Sequence, residues 1–331
     1  MLPYTYKESA MQGLTAIAGI RVGHASNFDA LTGCTAILCE SGAVGGVDTR
    51  GSASETSSID TLQPGHVAGQ VHGIVLTGGS AFGLETASGV RRYLEQRGAG
   101  FRFGRGVVPI VPCAVLFDLD IGKAGIRPTR EMGETAAAAA TAEPVQEGAV
   151  GAGTGATVGK ILGMRQAMKS GIGSGMVELP GGVLVAALAA VNAFGDVRDT
   201  TTGNLIAGAR RSPDSMELAD TEAVMKAGGL RSRPERRNTT LAVVATNARL
   251  SKVEATKLAE FGSLGLARTI YPVYTMFDGD TTFALSIGDA SADVNTLGVA
   301  AAQAVAQAVI RAVKGAPSMG GVPGLAGEAH G

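Results

Sequence analysis

Glycine cuts this chain into short apolar runs, and that spacing restricts it to a layered α/β structure. The sequence holds 49 glycines in 331 residues, about twice the usual share. They follow no collagen-like period, so they mark tight turns and close backbone approaches. Between them, TAILCE (35–40), GIVLTGG (73–79), VVPIVP (107–112), GVLVAALAAV (182–191), TLAVVATN (240–247) and TTFALSIG (281–288) read as strands. Helical spacing covers 83–98, where Leu84, Ala87, Val90 and Leu94 share a face, and the alanine-rich 133–142. It also covers 251–270, opened by the capping-box pair Ser251 and Glu254, and the small-residue run 295–313, which reads as a helix buried between layers. The elements alternate without a regular βαβ rhythm, which predicts packed sheets with outer helices in one domain spanning 1–331. Residues 198–237 read as an exposed loop with one short helix, and 316–331 as a flexible tail.

Composition narrows the function. Apolar residues make up 45% and aromatic residues 4%, with no tryptophan, so the core is built from Ala, Val, Leu and Ile. The net charge of −1 and the lack of a long basic face exclude nucleic acid as a partner. Cys34, Cys39 and Cys113 lack metal-type spacing, and His24, His66, His72 and His330 do not pair at helical spacing. No metal is expected, and a reducing, cytoplasmic setting fits. The N-terminus has no apolar core of a signal peptide, and no apolar run approaches the length that spans a membrane, so no membrane partner is expected.

Four motifs bear chemistry. GGSAFG (78–83) misses both G-x-G-x-x-G and G-x-S-x-G. Gly78, Gly79 and Ser80 read as a strand-to-helix turn lining a cleft, with amides suited to an anion. GAGTGATVGK (151–160) misses the P-loop pattern. Its Lys160 is either a snorkelling surface lysine or an amine desolvated enough to act on a hydroxyl. DGD (278–280) is hairpin chemistry, or two carboxylates reaching a neighbouring amine or hydroxyl. Asn238-Thr239-Thr240 is a polar cap on a strand, or an autocatalytic nucleophile. In the second case the Thr239 hydroxyl attacks the carbonyl of Asn238 and the cut frees an α-amine of pKa near ~7.7–8.0, suited to general base catalysis.

Ordered matches along nearly the whole chain carry a resemblance. They are GIRVGHASN, TGCTAILCE, VDTRGSASET, IVLTGGSAFGLETASGV, PIVPCAVLFDL, GAGTGATVGK, NTTLAVVATNARLSK and GLARTIYPVYTMFDGDTTFAL. The chain resembles the DmpA family of L-aminopeptidase/D-Ala-esterase/amidases, with its β-aminopeptidases and nylon-oligomer endo-hydrolase. The resemblance implies a four-layer αββα sandwich of the DmpA/ornithine-acetyltransferase type and self-cleavage into 1–238 and 239–331. It also implies homo-oligomers of the resulting αβ pairs and hydrolysis of short peptides, amides or esters without a cofactor. Residue by residue, it implies Thr239 as nucleophile, Lys160 as the lysine beside it and Asn192, in AAVNAFGD, as an oxyanion donor. Asp278 and Asp280 become the pair that positions the nucleophile and its amine. Phe117, in AVLFDL, stands where several members carry a tyrosine, which removes one hydroxyl donor. Acyl transfer of the ornithine-acetyltransferase type and an uncleaved binding protein are the alternatives on the same fold.

Overall fold

The computed structural model describes residues 13–230 and 238–327. Eight strands matter for the site: β1 (Arg21–Asn27), β2 (Thr32–Thr49), β3 (Val71–Thr77), β4 (Cys113–Val115), β5 (Ile172–Leu179), β6 (Val183–Asn192), β7 (Thr239–Ala248) and β8 (Thr281–Ala290). Five helices accompany them: α1 (Thr86–Gln96), α2 (Arg130–Ala138), α3 (Thr221–Lys226), α4 (Lys252–Ala267) and α5 (Val294–Lys314). The pairing path β5-β6-β7-β8-β2-β3-β4 is folded into two sheets by the 18-residue β2. Its first half pairs with β1 and β3, its second half with β8, and the register shifts between Leu38 and Ala43.

Three cores separate four layers. Leu38, Val75, Val90, Leu94, Ala136 and Ala137 join α1 and α2 to the first sheet. Ile37, Ile74, Leu76, Leu188, Leu241, Val243 and Phe283 fill the space between the sheets. Ala242, Val244, Leu258, Leu266, Val305 and Val309 join the second sheet to α4 and α5. The alternation along β7 sends Leu241 and Val243 to one core and Ala242 and Val244 to the other, as period-two side chains require. Each fully buried Leu or Val contributes about 1.5–3 kcal/mol. This is the αββα arrangement the resemblance implied.

Several elements differ from expectation. The run 107–112 is not one strand: strand structure covers Gly106–Val108 and resumes at Cys113, because Pro109 and Pro112 donate no ladder hydrogen bond. Residues 198–230 are more than an exposed loop with a helix. Besides α3, the stretch Leu205–Ala207 pairs with Asp196–Arg198. The buried Asp196 carboxylate accepts from the amides of Ala209 and Thr221 and from the Thr221 hydroxyl, which fastens the segment down. The 231–237 part of that loop lies outside the described residues, as do 328–331 of the expected tail. Residues 316–327 dock on the body: Ala316 is fully buried, Val322 packs with Leu31 and Ile121, and the Pro323 carbonyl accepts from the Lys169 amide at 2.8 Å. The helix at 294–314 is long and apolar enough to cross a membrane, contrary to the estimate of run lengths. It forms an outer layer rather than lying between layers, and its apolar side packs on β5, β6 and α4.

Candidate active site

Three neighbouring strands bring the candidate residues to one end of the second sheet. Asn192 is the last residue of β6, Thr239 the first of β7, and they are paired directly in the antiparallel ladder. On the other side β8 runs parallel to β7, and the turn before it bridges Asn238 to Asp278. Thr239 and Asn238 are 4% and 3% exposed, so the expected polar cap is in fact buried. The Thr239 hydroxyl donates to the carbonyl oxygen of Asn238 at 2.5 Å, and the Gly279 amide donates to the same oxygen at 2.8 Å. The side-chain Oδ1 of Asn238 and Oγ1 of Thr240 are buried without a hydrogen-bond partner. The peptide bond between Asn238 and Thr239 therefore sits in a buried, polar, incompletely satisfied place, with a hydroxyl and an amide donor on its oxygen.

The aspartates flanking Gly279 hold the backbone around the threonine. Asp280 accepts from the Thr240 amide at 2.6 Å and the Tyr274 amide at 3.3 Å. Asp278 accepts from the Phe194 amide at 3.2 Å and from the amide and hydroxyl of Thr275. Burial raises the pKa of Asp278, and burial together with the charge of Asp278 holds Asp280 well above the usual carboxylate range. Two N–H donors on the Asp280 oxygens work against that push and favour the ionised form.

Lys160 reaches the same end of the sheet because 159–160 runs beside 194–195, with Gly159 and Lys160 donating to Gly195 and Phe194. Its amine donates to Asn192 Oδ1 at 2.7 Å and to the Asn192 carbonyl at 3.2 Å. Burial pushes its pKa down to about 7, opposed by the charges of Asp278, Asp120, Asp118 and Asp280. Part of the lysine surface stays open to solvent, so this is the limit of the downward push. Lys160 is half-buried, with its amine turned inward onto Asn192 rather than out into solvent. Asn192 Nδ2 donates to the Phe117 carbonyl at 2.8 Å, and the backbone donor on the Asn238 carbonyl is the Gly279 amide. Phe117 thus enters the site through its backbone.

Gly78, Gly79 and Ser80 stand one step away. Their amides donate to Gly33, Asp118 and Leu116. The anion seat expected at this turn is filled by the chain's own Asp118, which also accepts from Thr32. Sequence reasoning missed Gly279, Asp118 and Thr157, whose amide holds Asn192 Oδ1 at 3.1 Å. Gly279 acts through its amide, and the only trace of it was a glycine locked between two aspartates.

The chain is a hydrolase of the peptidase class, an aminopeptidase or amidohydrolase. The chain belongs to peptidase family S58, whose family model matches residues 12–326. It is 38% identical to an uncharacterized aminopeptidase of Mycobacterium tuberculosis (strain ATCC 25618 / H37Rv), over 95% of this chain and 96% of that protein. It is 30% identical to the 6-aminohexanoate-oligomer endohydrolase of Kocuria sp. (strain KY2), over 89% and 84%. Its fold is similar to that of the L-aminopeptidase D-Ala-esterase/amidase of Ochrobactrum anthropi, with a TM-score of 0.73 at 21% identity over 97% and 91% of the two chains.

Proposed function

We propose that the chain matures by cutting itself between Asn238 and Thr239, and that the freed Thr239 then hydrolyses short peptides, amides or esters. The observation that carries this reading is the Thr239 hydroxyl against the Asn238 carbonyl, with the Gly279 amide on the same oxygen. Oγ1 adds to the Asn238 carbonyl carbon, and the oxygen gains negative charge that the Gly279 N–H stabilises. The hydroxyl proton passes, with Lys160 as the nearby base, to the Thr239 nitrogen as the C–N bond breaks. Water then hydrolyses the Asn238–Oγ1 ester, leaving a carboxylate on Asn238 and a free hydroxyl and amine on Thr239. In the mature site the same hydroxyl attacks a substrate carbonyl, its own amine taking the proton, and water releases the acyl group.

The two pieces stay together because 239–327 supplies β7, β8, α4 and α5 to the cores that 13–230 completes. Assembly of such pairs into a homo-oligomer belongs to the same proposal, and light scattering reads it. The relatives named for their reaction cleave peptides or amides, which favours hydrolysis over acyl transfer.

Intact mass of the purified protein beside Thr239→Ala tests the reading. The unmodified chain resolves into 1–238 and 239–331; the variant stays whole and leaves aminoacyl p-nitroanilides untouched. Hydrolysis by a chain that stays whole overturns it.

A further inference from the structure

A second lysine lies behind the first. Lys169 is fully buried, and its amine donates to three backbone carbonyls: Gly153 at 3.2 Å, Ala156 at 2.9 Å and Ser170 at 2.7 Å. An ammonium has three hydrogens and no acceptor, so this nest matches the charged form hydrogen for oxygen. A neutral amine would turn its lone pair on a carbonyl. Two of the three carbonyls belong to the glycine-dense 151–160 stretch that ends in Lys160. Thr157 pairs with Lys169 across a short antiparallel ladder, and the Thr157 amide holds the Asn192 oxygen that receives Lys160. A continuous set of hydrogen bonds therefore runs from Lys169 through the turn to Asn192 and Lys160.

We propose that Lys169 is a positioning residue of the active site: its ammonium ties down the turn that carries Thr157 and Lys160 and sets a fixed positive charge behind them. The inference deepens the site assigned above and rests on it. Lys160 is faced by Asp278 and Asp280 from the turn before β8, by Asp118 and Asp120 from the segment after β4, and by Lys169. Lys169 is faced by Asp118 and Lys160. Burial pushes both amines down to about 7. The Lys160 charge is among the causes that lower Lys169; against it, the three carbonyls each accept one hydrogen and hold Lys169 charged, and a charge there disfavours a proton on Lys160, which leaves Lys160 the base of the two.

Lysine ¹³Cε signals titrated by NMR in the full-length Thr239→Ala chain test this, and they do so whether or not the chain processes itself. Lys160 is assigned by its loss in Lys160→Met, and Lys169 by its loss in Lys169→Met or, should that variant not fold, in Lys169→Arg. Lys169 titrates above Lys160; the reverse order overturns the proposal. In Lys169→Met, which removes the charge and keeps the length, the Lys160 midpoint rises by on the order of one pH unit. The buried neighbour variant Met168→Ala lowers Tm and leaves that midpoint in place. An unmoved Lys160 midpoint in Lys169→Met, or an equal shift in Met168→Ala, assigns Lys169 to the fold alone. Failure of Lys169→Met to fold leaves the decision to the titration order of the two amines.

Discussion

The Gly279 amide donates to the Asn238 carbonyl at 2.8 Å from a turn that has no room for a side chain. A Cβ at position 279 would lie 2.7 Å from the Thr239 hydroxyl oxygen and 2.8 Å from the Ala53 carbonyl. The donor and the Thr239 hydroxyl thus share one small space. The turn is also fixed from behind, since Ala53 donates to the Asp278 carbonyl and both Arg50 and Gly51 donate to that of Asp280.

Gly279→Ala follows as a test of that space. The added methyl displaces either the hydroxyl or the amide from the Asn238 carbonyl. Loss of one such donor slows attack by about 10²-fold or more, while overpacking destabilises the fold by about 1–3 kcal/mol. A time course of chain cleavage on denaturing gels, beside a melting curve, separates the two effects. Cleavage at the unmodified rate would remove Gly279 from the mechanism.

Asp280→Asn probes the support under Thr240. The carboxylate accepts one amide on each oxygen. An asparagine offers one acceptor and turns its NH₂ against the other N–H, leaving a buried donor unmet at about 1–3 kcal/mol. Urea denaturation of Asp280→Asn in the uncleaved Thr239→Ala background shows that loss of stability. With the start of β7 displaced, Asp280→Asn alone also cleaves more slowly. Unchanged stability would mean that the Thr240 amide is satisfied elsewhere.

Strands with an unbroken apolar pattern were legible to within a residue or two: 182–191 against Val183–Asn192, and 240–247 against Thr239–Ala248. β1, β5 and the second half of β2 were not, and the reason lies in the helices above them. Gly23 lies under α2, Gly46 under α4, and Gly173 and Gly175 under α5. Each is a strand residue whose side chain was removed to let a helix backbone come close, and that removal erases the periodicity that marks a strand. In the site, Thr239, Asn192, Lys160 and the two aspartates were placed by resemblance, and the fold brings them to one end of the sheet. Gly279 and Thr157 act through backbone amides, which leave no pattern in side-chain types.

That account predicts the effect of Gly173→Ala. A methyl there would stand 2.1 Å from the Ala308 carbonyl and 2.4 Å from the Ala312 amide. Helix α5 must lift from β5, at a cost of about 1–3 kcal/mol or more, seen as a lower Tm. An unchanged Tm would show that the helix shifts freely.

Asp118 gives the chain a pH dependence of definite sign. Burial raises its pKa to about 6, from an ordinary value of 3.8, despite the hydrogen bonds from Thr32 and Gly79. Between those values the folded chain holds a proton that the unfolded chain has lost. This group's contribution to stability therefore falls as pH rises from about 4 to about 6, by up to about 3 kcal/mol. Asparagine keeps both hydrogen bonds, accepting from Gly79 and donating to the Thr32 hydroxyl, and carries no charge. Asp118→Asn in the uncleaved Thr239→Ala chain is then about as stable as its parent near pH 4 and more stable near pH 7.5. Urea denaturation of both chains at both pH values measures the gap. A gap of equal size at the two pH values, or a variant less stable at pH 7.5, would show that Asp118 is held as a satisfied carboxylate whose charge the fold requires.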